Sequence, residues 1–414
     1  MKTTIIITII ILVSLAAIAS AGGLSSAKAV AMGGAQMGLA EGVYAAIYNP
    51  ANLGLSSHQQ TSLELAGAGI EFHNNSFSLD DYNKYNGSFL NDDDKSAILG
   101  KIPSEGLKVN ADVEAGAMSF ATGSFALSIV GHGAVATNLG KDALELFFNG
   151  VEINDTFTID GMYSDANAYV SVGLSYGRPI INLGGKELSA GFTAKYIRGL
   201  AYEKITELRG GVITFATGYE GEGTMVAQTA LGGTGYGLDI GAALKLTKDY
   251  TVGLAVENFI SNINWNVETE EHYYHFEFDT LTIENMENDS IVITDEYSQP
   301  IPSFSDNLPS IMRAGIAKTT GKLKWAVDYV QGFTLAAGST TKPLIAAGAE
   351  YRFIGFFPLR AGYSIGGGKS SIVSGGFGFD LGIFYLDMAV SSHSFMNFGA
   401  EKGLHVAVST GLVF

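Results

Sequence analysis

The sequence predicts an all-β protein, an antiparallel transmembrane β-barrel of about fourteen strands. Three observations carry that prediction. The chain opens like an exported protein yet contains no later run long enough for a membrane helix. Most of the remainder alternates with a period of two. The connections between alternating stretches are tight on one side and long on the other.

The N-terminus has a basic start at Lys2, an apolar core in TTIIITIIILVSLAAIASA, and small residues at Ala19-Ser20-Ala21. This is the pattern of a secretory signal peptide over residues 1–21, cleaved before Gly22. Beyond it no stretch of about 18 apolar residues occurs. An exported chain without such a helix enters a membrane only as a closed barrel, because lipid offers no partner for unpaired backbone groups.

Residues 22–56 follow as a segment of their own, rich in Gly and Ala and almost free of charge. A surface loop would be more polar, so this composition suits packing inside a container. Asn49-Pro50 reads as an N-cap followed by proline at the first helical position, with Gly54 placed to end the turn.

The barrel is expected over residues 57–414, with candidate strands at 59–76, 106–121, 124–138, 163–180, 187–205, 232–247, 249–266, 308–319, 321–332, 342–353, 356–367, 369–381, 383–392 and 402–414. In Tyr236–Leu246, for example, Tyr236, Leu238, Ile240, Ala242, Leu244 and Leu246 share one face. Gly237, Asp239, Gly241, Ala243 and Lys245 share the other. Apolar-out and polar-in segments of roughly ten residues are what a membrane barrel requires. A soluble sandwich also alternates, but it has no reason to show strict short/long parity. Here Thr122-Gly123, Gly184-Gly185, Lys248, Gly321, Gly355 and Gly382 mark tight turns, while the other rim carries the long loops. The last strand, GLHVAVSTGLVF, ends on Phe414, and a terminal strand with a final aromatic resembles the membrane-insertion signal of outer-membrane barrels.

Composition narrows the function. A net charge of −17 argues against a nucleic-acid partner, and the absence of Cys excludes a disulfide framework or a zinc-thiolate site. The connection 267–309 holds eleven acids and two His, with no Lys or Arg. Its middle reads as a hairpin standing above the membrane. No fixed ligand spacing emerges, so a solvated acidic loop is expected there and no metal site or cofactor. Asn91-Asp92-Asp93-Asp94 reads as the capped start of a short helix rather than a calcium loop. A second short helix at 141–148 offers Leu144, Phe147 and Phe148 as a ligand groove at the rim.

The seven His are scattered, and neither HExxH nor GxSxG is present. No catalytic residue and no enzyme activity are expected; only geometry decides whether a triad is assembled across strands. On the inward faces stand Lys195, Asp239, Lys245, Glu257, Arg313, Asp328, Glu350, Arg352, Arg360, Asp380 and Asp387. Their mixed signs point to charge pairs that brace the lumen.

Met32-Gly33-Gly34-Ala35, Leu39-Ala40-Glu41-Gly42 and Asn49-Pro50-Ala51-Asn52-Leu53 resemble the N-terminal signature of an outer-membrane superfamily. That superfamily contains the long-chain fatty acid transporters, the related barrel of type IX secretion, and uncharacterised members. The chain departs from its pattern at Glu41-Gly42 and at Asn52. The resemblance implies a fourteen-stranded barrel with residues 22–56 as a hatch inside the lumen, Met32, Gly33, Gly34, Asn49, Pro50 and Ala51 carrying the hatch motif. It further implies a bacterial outer-membrane location, with membrane lipid and the barrel-assembly machinery as partners. The function expected from it is passive transport of fatty-acid-like or hydrocarbon-like small molecules. Protein secretion or surface assembly, with an exported protein as partner, is the alternative, and a purely structural barrel is a third.

Overall fold

The computed structural model describes residues 23–150, 153–282, 291–393 and 402–414. The expected signal peptide lies outside the described residues. Behind Gly23 come α1 (Ala27–Ala31), α2 (Val43–Tyr48) and a 3-10 turn (Pro50–Gly54). β1 (Ser62–Asn74) leads into α3 (Leu79–Tyr85) and α4 (Asp92–Lys101), then β2 (Leu107–Thr122) and β3 (Phe125–Leu139). α5 (Lys141–Asn149), β4 (Thr156–Thr158), β5 (Tyr163–Leu183), β6 (Lys186–Phe215) and β7 (Gly218–Ala230) follow. Next are β8 (Gly232–Lys245), β9 (Tyr250–Val267), β10 (Glu270–Leu281), β11 (Val292–Pro300), β12 (Phe304–Asp306) and β13 (Ile311–Thr320). The chain finishes with β14 (Leu323–Gly332), β15 (Leu344–Ile354), β16 (Phe357–Gly366), β17 (Lys369–Leu381), β18 (Phe384–Ser392) and β19 (Gly403–Val413).

Strands β1, β2, β3, β5, β6, β8, β9 and β13 to β19 form a closed 14-strand antiparallel barrel. β19 returns to β1 with pairs from Ser62↔Val413 to His73↔Gly403. Closure removes every edge, so each backbone group in the wall has a partner within the sheet. The period of two sets what each face meets. On β19, Leu404, Val406 and Val408 are exposed outward, while His405, Ala407 and Ser409 are buried in the lumen. Outward apolar side chains would be an aggregation hazard in water, and they match a lipid surroundings.

One rim carries tight turns. Gly184 and Gly185, at φ 60° and 80°, give the two-residue hairpin its left-handed geometry at no steric cost. The other rim carries the long loops, with one exception to the expected parity. β16 and β17 are joined there by a tight turn through Gly366, Gly367 and Gly368, all at positive φ. A run of three glycines makes this connection as short as those of the turn rim.

The loop rim is also more structured than the sequence suggests. β6 runs for 30 residues, roughly 100 Å at about 3.3 Å per residue, against a hydrocarbon layer of about 30 Å. Its distal half pairs with β7, β7 with β10, and β10 with β11, while β4 lies on its other edge. The hairpin expected in the middle of 267–309 is therefore part of a five-stranded sheet above the rim, as β10 and β11. The expected strand end at 205 is corrected: β6 continues to Phe215 because β7 supplies it with a partner.

Candidate functional site: the plugged lumen

The lumen is filled by residues 23–58, and local chemistry explains how this segment folds. Ser26 caps α1, its hydroxyl accepting from the Ala29 N–H. Gly33 and Gly34 end it at φ 69° and 92°. The Gly34 N–H donates to the Ala29 carbonyl (2.9 Å) and the Gly33 N–H to that of Val30 (3.0 Å). This is a Schellman stop, and it gives Met32-Gly33-Gly34 a physical reason. Asn49 caps the 3-10 turn through Ala51 N–H and also donates to the Ala242 carbonyl on β8. Asn52 donates to the carbonyls of Met37 and Ala40, both at 3.0 Å. The Asn-Pro-Ala-Asn stretch thus ties the hatch to itself and to the wall.

The wall receives this segment through polar side chains aimed inward. Asp328 accepts from the successive amides of Gln36 (2.6 Å) and Met37 (2.8 Å). Glu114 accepts from Gly23 N–H (2.7 Å), Ser25 N–H (3.1 Å) and the Ser25 hydroxyl (2.5 Å). Glu64 takes the Tyr44 hydroxyl at 3.0 Å, and Ser62 and Ser189 bond Val43 N–H and the Ala51 carbonyl. Bonds of an N–H to a charged acceptor contribute about 1.5–3 kcal/mol each. Between them the backbones nearly touch: a Cβ on Gly362 would lie 2.2 Å from Gly33 N, and one on Gly191 2.4 Å from the Pro50 carbonyl carbon. The high glycine content is in part this contact surface. Met32, Met37, Leu53 and Leu55 are fully buried in it.

Charged groups on the hatch meet complementary wall charges. Glu41 faces Lys324 at 3.7 Å. Burial raises the Glu41 pKa, but Lys324, Lys28 and His58 outweigh it and hold the carboxyl below its ordinary range. Burial pushes the Lys28 ammonium down, and Lys324 adds to that shift.

The predicted lumen charges form two networks. Arg360 bridges Glu350 (2.7 Å) and Asp387 (2.5 Å), and Arg352 bridges Glu350 (3.1 Å) and Asp380 (2.5 Å). Lys195 meets Asp239 at 2.8 Å and Glu257 at 3.8 Å, with Arg313 at 3.6 Å from Glu257. Asp239 also accepts from the Asn258 N–H at 2.7 Å, where β9 bulges inward at φ 50°. Lys245 stands apart, half-buried at the turn-rim end of β8.

Above the hatch, on the loop-rim side, the lumen changes character. Trp265, Tyr202, Ile197, Ile263 and Leu308 form a buried apolar cluster with Phe304 packed on it. The Tyr202 ring lies 5.2 Å from Trp265 and 5.1 Å from Phe304. Trp265 rests on Gly199, where a Cβ would lie 2.5 Å from its ring. A water-sized cavity of about 20 Å³ opens beneath, lined by His132, Tyr169, Glu257, Asn258, Pro309 and Ile311 among others.

Other candidates fall elsewhere. α5 carries Leu144, Phe147 and Phe148, with Phe147 well exposed. The groove of about 300 Å³ beside it is lined by Glu105, Lys108, Asn138, Lys141, Asp142 and Asp160, and by none of those three apolar residues. Phe414 is exposed at the turn rim, its N–H bonded to the Thr61 carbonyl. On the outer sheet, His272 bonds Thr229 and Ser298 and His275 bonds Thr224. The fold also brings Glu114, His132 and Ser171 into line. His132 Nδ1 is 3.7 Å from Glu114 and Nε2 is 3.5 Å from Ser171, whose hydroxyl donates to the Val130 carbonyl instead. Glu114 at the head of this row is the same carboxylate that holds Gly23 and Ser25 of the hatch.

Sequence reasoning missed Glu64, Glu71 and Glu114. Alternation places Glu114 inward once β2 is in register. Glu64 and Glu71 are separated by a bulge between Glu64 and Ala66, which breaks the count by two.

The family model described as "Family of unknown function (DUF5723)" matches residues 50–225 and 210–389. The chain belongs to this family. No curated protein matches it. Among solved structures it is similar to the deltaS2 mutant of the monoaromatic hydrocarbon channel TodX, at 14% identity over 94% of this chain and 96% of that chain, with a TM-score of 0.53. It is likewise similar to the TodX deltaS2S3 mutant (13%, 94% and 97%, TM-score 0.50). A Pseudomonas aeruginosa FadL homologue aligns at 12% identity over 96% and 98%, with a TM-score of 0.49. At these identities the likeness carries the fold. This member of the family shares the barrel architecture of the TodX structures.

Proposed function

We propose that this barrel resides in a bacterial outer membrane and admits small hydrophobic molecules. The observation that carries the reading is the packed apolar cluster of Trp265, Tyr202, Ile197, Ile263 and Leu308 inside the lumen. A porin for hydrophilic solutes keeps a wet, polar lumen. Here the path meets aromatic side chains first and a nearly uncharged plug second. The structural neighbours described as monoaromatic hydrocarbon channels support the same substrate class. A ligand enters this cluster by displacing Phe304, the cross-strand neighbour of Trp265, and Leu308.

The test is uptake of a labelled monoaromatic hydrocarbon and of a long-chain fatty acid into proteoliposomes bearing the full barrel. Uptake above empty vesicles, cut about tenfold by Trp265→Ala, is expected. Equal rates with and without the barrel sink the reading. Secretion of proteins is the second reading, favoured by the five-stranded sheet on the loop rim, which a small-molecule channel does not require. It predicts an exported protein captured by that sheet and lost when residues 270–300 are deleted.

A further inference from the structure

We propose a divalent metal site, of the kind that takes zinc, at the seam where the barrel closes. Its donors are Glu71 and His73 of β1, His393 directly after β18, and His405 of β19. Glu71 and His73 are two residues apart and so share the inward face. His405 is the direct cross-strand partner of Glu71, and Gly403 that of His73. His393 is held beside them by its N–H to the Gly403 carbonyl at 3.0 Å. Gly403 makes room for the group: a Cβ there would lie 2.6 Å from that of His73 and 2.8 Å from His393 Cγ.

One ligand atom each of Glu71, His73 and His393 lie within 4.8 Å of one another. Glu71, His393 and His405 are buried. His73 Nδ1 makes no hydrogen bond among the described residues, and His405 faces the Leu24 carbonyl from the hatch. His393 Nε2 sits 2.8 Å from a Glu71 oxygen, so these two donors already stand side by side. A buried polar atom left unmade costs about 1–3 kcal/mol, and a cation shared by Glu71, His73 and His393 satisfies the one on His73. Neutral imidazoles with one carboxylate are the donor set of zinc and its neighbours, not of calcium or magnesium, which take oxygen. Bonds of about 2.0–2.1 Å bring ligands to roughly 3.4 Å from each other, so the side chains close in slightly on binding.

Lys369 competes with a metal for the Glu71 carboxylate. Its ammonium lies 2.5 Å from Glu71 Oε1 and supplies the positive charge that the carboxylate needs. A divalent ion takes over that role and releases the lysine. The site joins β1, β18 and β19, and so clasps the first strand to the last two at the loop rim.

The full-length mature barrel, without an affinity tag and stripped with chelator, is titrated with zinc in detergent and followed by calorimetry and thermal unfolding. One zinc per barrel and a raised melting temperature are expected. His393→Gln and His405→Gln each weaken binding at least tenfold, while His272→Gln on the outer sheet leaves it unchanged. Lys369→Gln keeps all donors and removes the competing cation, so it tightens binding. This variant also decides the matter should the histidine variants fail to fold. No stoichiometric zinc in the parent and in Lys369→Gln, or loss of zinc on His272→Gln alone, overturns the proposal.

Discussion

The two halves of the lumen are built on different physics. Toward the turn rim, the hatch is held by directional bonds from Asp328, Glu114, Glu64, Ser62 and Ser189, with glycine backbones in close contact. Toward the loop rim, Trp265, Tyr202, Ile197, Ile263 and Leu308 are held chiefly by packing against one another. Directional bonds specify one seated position and are exchangeable with water. Apolar packing tolerates replacement by any molecule of similar polarity. One half is suited to a defined closed state, the other to occupation by a guest.

Substitutions separate the halves. Trp265→Ala has the largest expected effect, about 3–5 kcal/mol of stability. It lowers hydrocarbon uptake while leaving protease resistance of residues 23–58 unchanged; a parallel loss of hatch protection would erase the distinction. Asp328→Ala strands the Gln36 and Met37 amides and costs about 3 kcal/mol. Its reading is faster amide exchange in the hatch and leakage of small polar solutes from liposomes, with the aromatic cluster unaffected. Gly362→Ala costs about 1–3 kcal/mol by crowding Met32 and Gly33, and shows the same leak more weakly.

The smallest effect is a pH response. The Glu41 carboxyl is held below its ordinary value of 4.5 in the folded chain. Its contribution is therefore present above that value and lost as pH falls through the lowered one. Protease sensitivity of the hatch is expected to rise in that acid window, and Lys324→Gln removes the share due to this pair.

Much of the wall was legible in the residues themselves. All fourteen expected strands coincide with barrel strands of the structure, because outward residues must be apolar and inward ones polar or small. Asp328, Glu350 and Arg360 were placed inward by that alternation alone. Their partners were not legible. Asp328 meets amides 292 and 291 positions away, and nothing local to either stretch encodes that meeting. The distal half of β6 was also hidden, since alternation does not mark where the membrane ends and β7 and β10 supply the pairing. The histidine contacts were hidden as well. His73, His393 and His405 look scattered along the chain, and they become neighbours only because β19 closes onto β1.

By itself, then, the chain determined its strands, its tight turns, the stop after Met32 and the cap at Asn49. These depend on periodicity and on bonds spanning a few residues. The tertiary structure alone decided that Gly33 lies against Gly362, that Asp328 anchors the plug, that an aromatic cluster stands above it, and that three histidines gather around Glu71. Each of those is a contact across the barrel or its seam, set by the registers of a closed sheet, and register becomes defined only when the last strand meets the first.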